Sequence, residues 1–220
     1  MQAPYKMPSG FYVDLENPVR EHIALQDIAW NLAGICRFGG STKEHYSVAQ
    51  HCVDMDSLLL RSINEGVNIW DTDVQSLLSQ AASDLALRKR LRMEVLLHDA
   101  SEAYLGDIPS PLKKLIPEYQ KIEREWTDVI RSAFNLPPMD QPEDQAIHQV
   151  VRCLDHLALH IERRWVQRSD AEECPANAWG DESPEVSNLA QRWLSSMANN
   201  FWSRDEARRA FEARYRIIQK

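Results

Sequence analysis

The sequence predicts an all-α fold, a helical bundle of one domain. Three features carry this. Apolar residues recur at three- and four-residue spacing through most of the chain, no segment reads as a strand, and clusters of Gly and Pro separate the periodic stretches at helix-length intervals. With 220 residues the chain can bury one sizeable core.

Residues 1–21 carry four Pro or Gly and no sustained apolar period, so they are expected as an irregular arm on the body. From His22 to Ile35 the apolar positions Ile23, Ile28, Leu32 and Ile35 follow near-helical spacing, and CRFGGSTKEH then breaks the helix at Gly39 and Gly40. Ser47 followed by Gln50 fits a capping box, which starts the next helix near Val48 with Val48, Cys52, Met55 and Leu59 as its buried stripe and His51 at the stripe's edge. A linker from Asn64 to Thr72 leads to a short helix through Val74 and Leu78, and Ser83 is expected to cap the one after it. That helix carries Leu87, Leu91, Val95 and His98 on one face and stops at Gly106, Pro109 and Pro111. Leu112, Leu115, Tyr119, Ile122 and Trp126 continue as one scaffold helix opened by Pro111, with Pro117 as an early kink.

The cleanest amphipathic run is Ile147, Val151, Leu154, Ala158, Ile161 and Trp165, interrupted by Asp155. Residues 168–183 are acidic and broken, a loop or flap, and two helices follow, one through Val186, Leu189, Trp193 and Met197, the other capped by Ser203 with Glu206. The chain thus divides into an arm at 1–21, a core at 22–167, and a loop with a helical extension at 168–220 packed on that core.

The composition, 44% apolar and 26% charged, is that of a globular protein, and no apolar run is long enough to span a membrane. An N-terminus with Pro, Gly and charges in place of an apolar stretch makes the cytoplasm the expected location. A net charge of −8 disfavours stable attachment to nucleic acid without excluding a small anionic substrate in a local positive pocket. The basic run Arg88 to Arg92 reads as a solvated helix face. Cys36, Cys52, Cys153 and Cys174 have no CxxC spacing and read as reduced and structural.

Chemistry concentrates between Val95 and Pro111, VLLHDASEAYLGDIPSP. On a helix, adjacent His98 and Asp99 diverge from one backbone and Glu102 returns to the His98 face a turn later, so one metal ion can gather the first two beside Glu102. Asp155, at the margin of a buried face, needs a metal or a cation, and Arg152, Arg163 or Arg164 could supply the latter. Arg37 can fork onto phosphate oxygens, although most arginines are merely solvated. Asp107, just past Gly106, suits a turn equally well.

Taken together, His51, His98 with Asp99, Glu102, the GDIPSP tail and Asp155 resemble the HD-domain metal phosphohydrolases, most closely the bacterial 5'-deoxynucleotidases, over about residues 25 to 165. The resemblance implies an HD-type helical bundle with one divalent ion on His51, His98, Asp99 and Asp155. It gives Glu102 the catalytic water and Asp107 a catalytic place against the sugar hydroxyl, with Arg37 and Phe38 touching phosphate and nucleoside. Phe38 stands where that family tends to have Trp. The donor set does not choose among Mn, Co, Zn, Fe, Ni and Mg. The implied activity is removal of the 5'-phosphate from deoxynucleoside monophosphates. A dNTP triphosphohydrolase is the nearest rival, a cyclic-nucleotide phosphodiesterase a weaker third, and a nucleotide-binding module without turnover, or a helical interaction protein with core histidines, the readings from other classes. A small-molecule nucleotide is the implied partner, with a homo-oligomer left open.

Overall fold

The computed structural model describes residues 4–67, 69–138, 144–166, 183–197 and 200–220. Ten helices build it: α1 (Leu25–Gly34), α2 (Val48–Glu65), α3 (Thr72–Ala81), α4 (Leu85–Leu96), α5 (Glu102–Leu105), α6 (Ser110–Lys113), α7 (Pro117–Ala133), α8 (Gln145–Trp165), α9 (Pro184–Met197) and α10 (Arg204–Gln219). The fold is all-α apart from one small sheet. No helix among the described residues is long and apolar enough to cross a membrane.

That sheet corrects the expectation of an irregular arm. Pro4–Lys6 (β1) pairs antiparallel with Tyr12–Asp14 (β2), Tyr5 opposite Val13. Strands of three residues are too short to show a period of two, so the hairpin has no readable pattern. Met7 and Val13 bury themselves beneath it, and Ser9 donates to both carboxylate oxygens of Asp27 on α1 at 2.7 and 2.6 Å.

The buried side chains form two clusters that share α2. Met55, Leu58, Leu59 and Ile63 face α3, α8 and α9 around Trp193, while Val48, Ala49, Cys52 and Val53 face α1, α7 and α10 around Trp126 and Phe211. Each such fully buried large side chain contributes about 1.5–3 kcal/mol. A helix buried on both sides must start and stop sharply. The Ser47 hydroxyl accepts from the Gln50 amide at 3.1 Å, and Gly66, at φ 60°, closes the other end in the left-handed conformation that glycine adopts without a steric penalty. Gln50 does not complete a capping box. Its side chain instead bonds the Asn200 carbonyl and the Trp202 amide, tying the C-terminal extension to α2.

The extension is more than a covering layer, since Ala207, Phe211 and Ile218 of α10 belong to the second cluster and Leu189, Ala190 and Trp193 of α9 to the first. The Ser203–Glu206 capping box forms as expected. Three local expectations change. Asp84, not Ser83, caps α4, accepting from the amides of Ala86 and Leu87. Pro117 opens α7 at a first-turn position where its missing N–H costs nothing, and Pro111 belongs to the separate turn α6. The basic run of α4 is not a solvated face: Arg92 forks onto the buried Asp56 at 2.9 and 2.8 Å, and Arg90 pairs with Asp144. The loop or flap expected at 168–183 and Cys174 lie outside the described residues, Ser183 excepted, while Cys36, Cys52 and Cys153 are free thiols.

Candidate metal centre

The centre lies where α2, the end of α4 and α8 meet. His51 sits in the first turn of α2, placed there by the Ser47 cap, and is fully buried. His98 and Asp99 follow the last residues of α4 in a turn in which the Glu102 amide donates to the Asp99 carbonyl at 3.0 Å. Asp155 comes from the middle of α8, half exposed. Arg37 arrives on a loop that is zipped shut: its amide donates to the Tyr46 carbonyl at 2.9 Å, and the Val48 amide donates to the Ile35 carbonyl at 3.0 Å.

Each imidazole has one nitrogen committed. His51 Nδ1 lies 2.6 Å from Glu162 Oε1, and His98 Nδ1 lies 2.8 Å from the Val95 carbonyl oxygen. Both partners are acceptors, so each Nδ1 carries the proton and each Nε2 offers a lone pair. These two Nε2 atoms face one another at 3.3 Å. Asp99 Oδ2 stands 3.1 Å from the His98 Nε2 and 3.8 Å from that of His51, and Asp155 Oδ1 stands 3.3 Å from His51 Nε2. Ligands bound at about 2.1 Å with angles between octahedral and tetrahedral lie roughly 3.0–3.4 Å apart. His51, His98 and Asp99 could therefore hold a divalent cation, and Asp155 stands beside them. The donor atoms of the first three lie within 4.8 Å of one another.

Electrostatics says the same. Burial would depress both imidazoles, yet Asp99 beside His98 outweighs it and holds that ring well above the ordinary range, and His51 is also raised, by Glu162 and Asp155 against burial and Arg37. Burial works against ionisation of Asp99 and Asp155 too, but His98 beside Asp99, His51 beside Asp155, and Arg37 near both hold them low. The cluster demands positive charge at its middle.

Arg37 is partly buried and held by Glu162, its Nε and Nη2 at 3.1 and 3.0 Å from Oε2, which leaves Nη1 turned toward Asp99 at 3.7 Å. Its guanidinium lies 5.5 Å from the centre of the Phe38 ring. Phe38 adopts φ 57° and ψ 28°, a left-handed conformation that costs a bulky residue free energy and persists only where the surroundings enforce it. Asp155 takes neither Arg152 nor Arg163 or Arg164 as the partner that the sequence offered. Its neighbours are His51 and Arg37, the latter at 3.9 Å.

Glu102 opens α5, buried, with its Oε1 3.4 Å from Lys113 Nζ and no hydrogen-bond partner for Oε2 among the described residues. Burial, then Asp99 and Asp107, push its carboxyl up to about 9. Asp107 is raised as well, burial outweighing the pull of Arg37. Seven of the eight residues singled out by the sequence thus lie within one electrostatic cluster, and Phe38 borders it through Arg37. His45 lies apart, bonded to the Ala33 carbonyl at 3.0 Å.

The residues that sequence reasoning missed form the floor. Glu162 accepts from His51, Arg37 and the Tyr46 hydroxyl, at 3.0 Å for the last, and Tyr46 also lies 2.8 Å from Asp54. Glu162 falls seven residues after Asp155, two turns on along the same helical face, and that spacing is the available signal.

No protein-family profile matches the chain. It is 35% identical over 155 residues to the uncharacterized protein YfdR of Escherichia coli K12, an alignment covering 70% of this chain and 66% of that protein, just under two thirds of its length. It is 26% identical over 220 residues to an uncharacterized protein of Rhodobacter capsulatus, covering 99% of this chain and 96% of the relative. Neither relative's name states an activity.

Proposed function

We propose that the chain is a divalent-metal phosphohydrolase of the HD type acting on 2'-deoxynucleotides, with removal of the 5'-phosphate from deoxynucleoside monophosphates as its reaction. One observation carries the metal part: two Nδ1-anchored imidazoles whose Nε2 atoms face each other at 3.3 Å, flanked by Asp99 from the turn after α4 and Asp155 from α8. The nucleotide part rests on the resemblance of the motif set, supported by a partly buried arginine beside the centre.

A divalent ion held by His51, His98, Asp99 and Asp155 would supply Lewis acidity toward a phosphate oxygen and make water a better nucleophile. The protein groups do the rest. Arg37, fixed through two nitrogens by Glu162, presents Nη1 to an anionic oxygen without having to be ordered first. Glu102 is the proton carrier. Its high proton affinity comes from burial beside Asp99 and Asp107, and with a divalent ion held at Asp99 it would fall toward neutrality, the range in which a general base works best. Asp107 shares this rim and is available to the sugar hydroxyl.

Elemental analysis of the purified protein, with release of phosphate and of triphosphate followed over deoxynucleoside mono- and triphosphates, tests the reading. About one metal per chain and release of inorganic phosphate from monophosphates are expected. Release of triphosphate would favour the triphosphohydrolase. A chain that takes up no metal when supplied, or releases nothing from any nucleotide, would end the proposal.

A further inference from the structure

A cavity of about 420 Å³ opens directly beside the centre, with His98 and Asp155 in its wall. It is not the space faced by Arg37, Phe38, Glu102 and Asp107, none of which lines it. It runs instead between the end of α4, α7 and α8. Its walls are mainly apolar, from Leu97, Ile130, Leu136 and Val151. The charges at its base are already matched: Arg131 forks onto Glu94 at 2.6 and 3.0 Å and donates through Nε to the Pro137 carbonyl at 2.7 Å.

Two lining groups are left over. Nε2 of His148 is buried with no hydrogen-bond partner among the described residues. Arg152, exposed and four residues on along the same face of α8, also lines the cavity and has no ion pair with any described residue. A buried polar atom without a partner is costly and calls for an explanation, and a ligand that hydrogen-bonds it is one. Burial holds His148 below the ordinary imidazole range, so the ring is neutral at pH 7 and offers one donor and one acceptor.

We infer that this cavity receives the base of the nucleotide, a planar heteroaromatic ring held between the apolar walls with His148 and Arg152 reading its polar edge. The inference rests on the nucleotide reading above and deepens it. A triphosphate arm suits the space poorly, because Arg152 would be the sole uncommitted cation of its described lining while Asp155 repels. An aliphatic chain would match the walls but leave His148 Nε2 unpaired. A flat ring with donors and acceptors on its edge satisfies both, as in small-molecule sites that are apolar with a few placed polar groups.

The test uses the full-length, metal-loaded protein and two variants, His148→Leu and Val151→Phe, the second narrowing the cavity. Phosphate release is measured from thymidine and deoxyadenosine monophosphates and from 2-deoxyribose 5-phosphate, which has no base. Calorimetry follows binding of thymidine and 2'-deoxyadenosine. Both variants should lose about ten- to hundredfold in kcat/KM on the nucleotides, the scale of one pocket contact, and keep the rate on the baseless ester. Nucleoside binding should weaken by the same factor. An equal fall on all three esters, or nucleotide rates and nucleoside binding unchanged in both variants, would overturn the compartment while leaving the hydrolase reading in place. If the parent protein releases phosphate from nothing, the hydrolase reading fails, and calorimetry alone decides: nucleoside binding that His148→Leu abolishes keeps the compartment, and no binding by the parent removes it.

Discussion

Two buried carboxylates adjoin the centre, Glu162 on α8 and Glu102 on α5, and their surroundings are opposite. Glu162 accepts from His51 and Tyr46 on one oxygen and twice from Arg37 on the other, and Arg37 with His51 overcomes burial to hold it below its ordinary range. Glu102 has one long contact to Lys113, whose shorter bond, 2.6 Å, goes to Glu123, and its proton affinity is raised. The floor is a finished network that fixes geometry. The rim is an unfinished one, with one carboxylate oxygen left unbonded among the described residues and its proton affinity raised. A site that must both position and react needs the two kinds of carboxylate side by side.

The sharpest way to break this contrast is Glu102→Gln. If the rim carries proton transfer, turnover of deoxynucleoside monophosphate falls about 10²–10⁴-fold while metal content stays at the parent's level. A near-normal rate at saturating metal would remove Glu102 from the mechanism and with it the functional half of the comparison.

Glu162→Gln attacks the floor, and its effect should fall on binding. Partners that orient a ligating histidine are typically worth about 10–100-fold in metal affinity. Metal affinity is therefore expected to drop by that factor and the melting temperature with it, since Arg37 loses its buried counter-charge. Turnover at saturating metal should change far less than in Glu102→Gln. If instead metal affinity is unchanged and turnover collapses, floor and rim have been assigned the wrong way round.

Arg37→Lys joins the two regions. Lysine keeps a charge for Glu162 but has no second branch to present toward the centre, and losing one charge-assisted bond corresponds to about tenfold in kcat/KM. Equal rates for parent and variant, with metal bound in both, would make Arg37 purely a partner of Glu162.

What the sequence makes legible follows the same division. His51, His98, Asp99 and Asp155 are readable because each interrupts or borders an apolar stripe, and a polar residue on a buried face must have a reason. Glu102 and Asp107 are readable from their place just past a helix end. Glu162 is hidden because it occupies a buried position beside Ile161 in a run that already satisfies the apolar period, and its partners Arg37, Tyr46 and His51 lie more than a hundred residues away in the chain. Separation in the chain also conceals the pairing of Arg92 with Asp56. Helical periods are visible wherever one face is clearly apolar, as in α8 and α10, whereas helix starts that depend on a single residue, Asp84 for Ser83 or Pro117 for Pro111, fall between equivalent local choices.

The smallest expected effect lies at the far end of the floor. A tyrosine hydroxyl has one proton, yet Tyr46 stands within hydrogen-bond distance of two carboxylates, Asp54 at 2.8 Å and Glu162 at 3.0 Å. Both contacts are favourable only if one carboxyl is protonated. Glu162, held by Arg37 and by the His51 N–H, stays ionised, and burial pushes Asp54 up from 3.8 to about 7. Asp54 then donates to Tyr46, which donates to Glu162. The folded state keeps a proton on Asp54 that the unfolded chain has released, so this group costs stability as pH rises from about 4 to 7, and the cost is constant above that. A carboxamide in place of this carboxyl would donate to Tyr46 in the same way without titrating. Asp54→Asn should therefore match the parent near pH 4 and exceed it increasingly as pH rises to about 7, by a constant amount above that, with metal affinity unaltered. Unfolding followed at a series of pH values for both proteins measures the difference directly. A difference that stays flat across this window, or that grows toward acid, would mean that Asp54 is ionised in the fold and that Tyr46 serves it instead of Glu162.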